Sequence, residues 1–209
     1  MRHLLMGFLL LTNSLCAAYH LRLDIGPAFA SIDMLTSGHT VKTYNLAAVR
    51  GDALIMPIEG FCIKPSYLYA GGNATLNTGG VGVGYAIPVP CIEHFYLTPT
   101  YGWTGTKFKS KIDNFSSRGQ YISLEASWTF IECWRIYGMG QWCWSRVTTK
   151  FGPFKFKNHC KGPNYAVCLE HDLNETLSVS LAAGYNTSLS KEKHGLRGKG
   201  LKLGLAYWW

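Results

Sequence analysis

Apolar and polar residues alternate along most of this chain. In the last nine residues Leu201, Leu203, Leu205, Tyr207 and Trp209 occupy every second position, which is the period of a β-strand with one apolar face. The same alternation recurs in residues 20–31, 61–69, 81–87, 95–103, 121–130, 134–144, 165–169 and 177–185. The pattern predicts an all-β chain of ten strands if residues 44–56 form one, or of eight if the N-terminal hairpin pairs differently.

Nearly every predicted strand has one apolar face, which suits contact with lipid better than contact with water. A closed sheet leaves no unpaired edge in a membrane. We therefore expect a closed antiparallel transmembrane β-barrel of 8–10 strands. Polar groups inside a narrow barrel fill it with hydrogen bonds and ion pairs, and we assign this role to Arg22, Asp24, Glu125, Arg135 and Gln141.

The N-terminus has the composition of a secretory signal. A short basic start, Met1-Arg2-His3, precedes an apolar run from Leu4 to Leu11, and small residues follow at Cys16-Ala17-Ala18. This order of regions is typical of a cleaved signal peptide. We predict that residues 1–18 are removed and that residues 19–209 form the barrel domain.

The C-terminus resembles the sorting signal of Gram-negative outer-membrane β-barrels. In that signal a polar residue, a glycine, an aromatic or apolar residue and a terminal aromatic stand at fixed spacing, and Lys202, Gly204, Tyr207 and Trp209 occupy those places. The resemblance implies a small OmpA-like or OmpW-like barrel that the barrel-assembly machinery inserts into the bacterial outer membrane. It also implies that the C-terminus lies on the periplasmic side.

That orientation predicts which connections are extracellular. Counting back from Trp209, we expect extracellular loops at 104–118, 149–162 and 187–198, and periplasmic turns near 88–92, 131–134 and 171–174. The basic binding residues predicted in the three loops are Lys107, Lys109, Lys111, Lys150, Lys155, Lys157, Lys161, Lys191, Lys193 and Arg197. The predicted acidic inner rim consists of Glu93, Glu132, Glu170, Asp172 and Glu175. The predicted interfacial anchors are Phe108, Phe151, Phe154 and Phe156.

A basic outer rim can pair with lipopolysaccharide phosphates or with sulfated glycans. We expect a non-enzymatic surface protein with a structural or adhesive role, in contact with outer-membrane lipid, and no nucleic acid, cofactor or metal. One alternative is a narrow porin-like channel for small solutes. Another is an enzyme that modifies lipid A or phospholipid, although the candidates His94, Ser123, Glu125 and Ser127 have no triad spacing.

Six cysteines remain after the predicted cleavage, which is an even number for an oxidising compartment. The possible disulfides involve Cys62, Cys91, Cys133, Cys143, Cys160 and Cys168, and the sequence does not choose among the pairings. Cys91 and Cys133, near predicted periplasmic turns, are candidates for a disulfide within the chain or to another envelope protein.

Four Asn-x-Ser/Thr sequons support a rival fold, a secreted, disulfide-linked β-sandwich. They begin at Asn73, Asn114, Asn174 and Asn186. Apolar outer faces on so many strands would leave a sandwich little surface compatible with water.

Overall fold

A computed structural model of the protein describes residues 20–111, 113–151 and 154–209, so the predicted signal peptide lies outside the described residues. The described chain forms ten long strands. They are β1 (His20–Thr36), β2 (His39–Ile58), β3 (Phe61–Gly71), β4 (Thr75–Tyr85), β5 (Phe95–Lys109), β6 (Asp113–Ile131), β7 (Trp134–Phe151), β8 (Phe154–Asp172), β9 (Leu177–Leu189) and β10 (Gly195–Trp208). A two-residue segment, Ile87–Pro88, continues β4 along β5. Within these ranges no helix is long and apolar enough to cross a membrane.

Each strand pairs antiparallel with its neighbours in sequence, and β1 pairs with β10, so the sheet closes on itself. In the closing seam Leu23 lies opposite Tyr207 and Phe29 opposite Leu201. The prediction of a closed antiparallel barrel is confirmed with ten strands rather than eight. The β-sandwich is wrong, because closure joins the two edges that a sandwich would leave open.

The barrel has two ends, which we call lower and upper. The lower end holds Trp209 and the turns at 59–60, 132–133 and 173–176, and the upper end holds the turns at 37–38, 72–74 and 190–194. These turns have two to five residues at both ends, and the longer connection at residues 86–94 lies at the lower end, so the expectation of long loops at the upper end alone is wrong.

The three predicted loops are mostly strand. Segment 104–118 is shared by β5 and β6, 149–162 by β7 and β8, and 187–198 by β9 and β10. The prediction failed because a charged residue on an outward position is compatible with a strand wherever that face meets water. A polar segment can therefore continue the sheet instead of ending it.

The outward face changes from apolar to polar partway up β1, β5, β6, β7, β8 and β10. On β6 the outward positions from Ile122 to Phe130 are apolar, and Gln120 and Arg118 above them are polar. The apolar part covers nine residues of a 19-residue strand, and ~9–11 residues suffice for a strand to cross a membrane. The lower part of the barrel therefore carries an apolar belt, and the surplus residues build a polar wall above it.

Candidate functional site

The lower lumen is filled by ion pairs between inward-facing side chains. The four cations and four carboxylates of this lumen network are Arg22, Arg50, Arg135, Lys202, Asp24, Asp52, Glu170 and Asp172. They come from β1, β2, β7, β8 and β10, which closure of the barrel brings around one space. Equal numbers of opposite charges make the network electrically balanced, which is a condition for burying ions.

Lys202 holds one half of the lumen network together. Its Nζ lies 2.7 Å from Oδ1 of Asp24 and 2.9 Å from Oδ2 of Asp52. Arg50 donates to Asp52 at 2.8 Å. The sequence Arg50-Gly51-Asp52 thus lies in a strand with both charged side chains directed inward.

Glu170 holds the other half. Arg22 donates a hydrogen bond to it, and Nη1 of Arg135 lies 3.7 Å from its Oε1. Its side chain is 0% exposed. Asp172 pairs with Arg135 and accepts a 2.6 Å hydrogen bond from Ser178. The assignment of Glu170 and Asp172 to an acidic rim is therefore wrong: they alternate with the outward Leu169 and His171, and so they face the lumen.

The other predicted interior residues are also found inside the barrel. Glu125 pairs with Lys64 at 2.7 Å, which joins β6 to β3, and the side-chain oxygen of Gln141 accepts a 3.3 Å hydrogen bond from Asn164. Sequence reasoning missed the partners Lys64 and Lys202.

The upper lumen is filled by apolar side chains. Tyr44 and Phe108 pack edge to face with ring centroids 5.0 Å apart, beside the buried Leu46 and Phe115. Phe108 is therefore not an interfacial anchor. Lys107 and Lys109 take the outward positions on either side of it, so it faces the lumen. Phe156 is exposed, and the side chains of Phe151 and Phe154 lie outside what the structure describes.

The outer wall above the apolar belt is strongly basic. Its outward lysines and arginines are Lys107, Lys109, Arg118, Arg146, Lys157, Lys161, Arg197 and Lys199, and His159 lies among them. One acid, Asp33, faces out among them, where Arg197 donates to it at 2.8 Å. A hydrogen bond from Thr43 and the charge of Arg197 lower the pKa of Asp33 below its ordinary value, so it stays ionised at neutral pH.

The predicted basic residues do gather at the upper end, but most lie on strands rather than on loops. Lys107 and Lys109 belong to β5, Lys157 and Lys161 to β8, and Arg197 to β10. Turns hold Lys111, Lys191 and Lys193, and the side chains of Lys150 and Lys155 are outside the described part. Their role in binding stays a prediction.

A groove of about 990 Å³ crosses the basic wall from β4 to β9. Across it Arg118 lies directly opposite Arg146, which lies opposite His159. In the described residues neither arginine forms an ion pair with a carboxylate. Sequence reasoning missed Arg146, although continuing the outward positions of Trp142 and Trp144 by one step would have found it.

The residues of the predicted assembly signal divide between the two faces. Tyr207 and Trp209 face outward with their rings 4.4 Å apart, whereas Lys202 and Gly204 face the lumen. A Cβ added to Gly204 would collide with Asp24 Oδ1 and Ser180 Oγ. Lys202 and Gly204 thus have packing roles inside the barrel, and the sorting role remains a prediction.

All six cysteines between residues 62 and 168 are free thiols in the structure. Cys62 and Cys160 are buried, Cys143 accepts a 3.2 Å hydrogen bond from Asn164, and Cys91 and Cys133 are exposed. The structure therefore contains none of the possible disulfides. Exposure of Cys91 and Cys133 at the lower end leaves a disulfide to another protein as a prediction.

The candidate catalytic residues do not form a triad. His94 is exposed in the connection between β4 and β5, while Ser123 and Ser127 face the lumen and Glu125 is paired with Lys64. No hydrogen bond among the described residues joins the His94 ring to any of these side chains.

Several solved structures have a similar fold. The attachment invasion locus protein Ail of Yersinia pestis aligns over 91% of this chain and 99% of its own, with 10% identity and a TM-score of 0.49. Neisserial surface protein A aligns over 90% and 96%, with 10% identity and a TM-score of 0.49. An outer-membrane channel from Pseudomonas putida F1 aligns over 91% and 95%, with 10% identity and a TM-score of 0.50. The chain shares with these structures the fold of a closed antiparallel β-barrel.

No protein-family model matches the sequence, and no curated protein matches it either.

Proposed function

We propose that this chain is an integral outer-membrane surface protein with a closed lumen, whose basic upper wall binds the anionic groups of lipopolysaccharide or of sulfated glycans. The observation that carries the proposal is the concentration of outward cations directly above the apolar belt. Lysine and arginine at such positions attract phosphate and sulfate groups.

The balance of charge supports this assignment. The full sequence carries a formal net charge of +8, of which Arg2 in the predicted signal peptide accounts for +1. The lumen network contributes nothing to that excess, because its four cations match four carboxylates. The excess positive charge is therefore available to a partner outside the barrel. The proposed partners are outer-membrane lipid and lipopolysaccharide, the barrel-assembly machinery, and another envelope protein linked through an exposed cysteine.

We expect the purified protein in detergent to bind lipopolysaccharide and a sulfated polysaccharide, with an affinity that falls as salt is added. Salt screens exposed charges, with a Debye length of ~10 Å at 0.1 M. Microscale thermophoresis with labelled protein measures both affinities, and a neutral polysaccharide serves as the control ligand. Absence of binding at low salt, or equal binding of the neutral polysaccharide, contradicts the proposal.

The alternative, a narrow channel, requires an open lumen. The lower lumen holds the ion-pair network and the upper lumen holds packed aromatic and aliphatic side chains, and side chains can fill the interior of a narrow barrel completely. We expect the protein to produce no stepwise currents in planar lipid bilayers, with a known porin as the positive control. Reproducible conductance steps would favour the channel.

A further inference from the structure

Two arginines that form no ion pair with the described carboxylates face each other on the outer wall. Arg118 on β6 lies directly opposite Arg146 on β7, and like charges at opposed positions of a sheet destabilise it. Lys161 lies one step below on β8, opposite Trp144. A phosphate between the arginines would relieve their repulsion, because a guanidinium binds phosphate through two parallel hydrogen bonds.

Two tryptophans place these arginines at the edge of the apolar belt. Trp103 and Trp144 are 50% and 44% exposed, line the same groove, and lie in one row across β5 to β7 with Gln120 between them. Exposed indoles on a membrane barrel mark the level of the lipid head groups. The arginines therefore lie where a lipid phosphate would lie.

An apolar groove of about 870 Å³ continues below this row on the same strands. Gly140 forms part of its floor, and Tyr101 and Trp142 lie along it. Nothing lies within 4 Å of a Cβ added to Gly140, so the position is an open depression on the lipid-facing surface. Since Tyr101 and Trp142 directly precede Trp103 and Trp144 on the outward face, the apolar groove leads into the basic one.

We infer that the β5–β8 wall is a binding site for one phosphorylated glycolipid of the lipid A type, with its phosphate at Arg118, Arg146 and Lys161 and an acyl chain in the groove beside Gly140. This inference rests on the proposed function and deepens it. A soluble glycan would use only the basic groove. The continuous apolar groove below matches an acyl chain and favours a lipid as the occupant.

The phosphate part of the site is tested by the double variant R118E/R146E. The matched control is K193E/K199E, which makes the same change in charge at the same end of the barrel, on residues that lie outside the groove. We expect R118E/R146E to bind purified lipid A in detergent at least about tenfold more weakly than the unaltered protein, since it removes the two guanidiniums that would each bind the phosphate through two parallel hydrogen bonds. The control should lose much less.

The acyl part of the site is tested by G140F against G138F. Both glycines lie on the outward face of β7, and both have open space at the Cβ position, so both variants are expected to fold. Only Gly140 lines the groove. G140F should weaken binding of lipid A severalfold and leave binding of deacylated lipopolysaccharide unchanged, whereas G138F should leave both unchanged.

The outcomes separate the site from the general function. If the two charge-reversal variants lose affinity equally, or if G140F and G138F bind lipid A as the unaltered protein does, the site is wrong and the proposed function stands. If the unaltered protein binds neither lipid A nor sulfated polysaccharide, the proposed function itself fails. Equal binding of phosphatidylglycerol and lipid A would also overturn the inference, because it would make the site unselective for the glycolipid.

Discussion

Replacing Glu170 with glutamine is expected to lower the free energy of unfolding by about 3–5 kcal/mol, the usual cost of removing one partner from a buried ion pair. Glu170 accepts a hydrogen bond from Arg22 and lies beside Arg135, and its side chain is 0% exposed. Its loss leaves two guanidiniums close together in the lumen with too little negative charge to compensate them. Urea unfolding in lipid vesicles, followed by tryptophan fluorescence, measures the change.

Glu132→Gln is the matched control for Glu170→Gln. Glu132 is exposed in the turn between β6 and β7 and forms no ion pair in the described residues, so its replacement should change stability by less than about 0.5 kcal/mol. Adding Arg22→Met to the Glu170→Gln variant should restore part of the lost stability, because it removes one of the uncompensated charges. If Glu170→Gln costs no more than the control, the lumen network does not stabilise the barrel.

Gly204→Ala is expected to destabilise the barrel by about 1–3 kcal/mol, the usual cost of overpacking a well-packed interior. The added methyl would meet Asp24 Oδ1 and Ser180 Oγ at distances that real Cβ atoms do not adopt, and Lys202 Cε at 3.1 Å. One of the groups holding Lys202 would have to move. The measurement is the yield and urea stability of protein refolded into detergent from inclusion bodies, with Gly138→Ala, which meets open space, as the control.

The refolding experiment also separates packing from sorting. Refolding in detergent needs no assembly machinery, so a glycine that served only as a sorting signal would be replaceable there without loss. Normal refolding of Gly204→Ala, together with poor assembly in cells, would therefore contradict the packing role and favour the sorting role.

Alternation along the sequence predicted the closed barrel, the apolar belt and several interior residues, because a period of two fixes the face of every residue once one is assigned. The errors arose where polar segments were predicted to be loops, although the alternation of a strand continued through them. Lys107 and Lys109 continue the outward face of β5, and the period places Phe108 inside, yet their charge made the segment resemble a loop. Glu170 was misplaced for the same reason.

The sequence alone could not predict which charged residues form ion pairs with each other inside the lumen. Lys202 and Asp52 are separated by 150 positions in the chain, and their 2.9 Å contact depends on the seam between β1 and β10 as well as on the register of β2. Alternation gives the face of a residue but not its height on the neighbouring strand. The pairing of Arg118 with Arg146 likewise became visible only when the register of β6 and β7 was known.

The upper wall is built from paired strands joined by short turns, and this limits how other molecules can recognise it. A protease needs several consecutive residues in an extended, unpaired conformation, which a hydrogen-bonded strand does not offer. An antibody raised against the folded surface would contact side chains from three or four strands at once. Its epitope would be discontinuous in sequence, and short peptides copied from the chain would be poor immunogens for it.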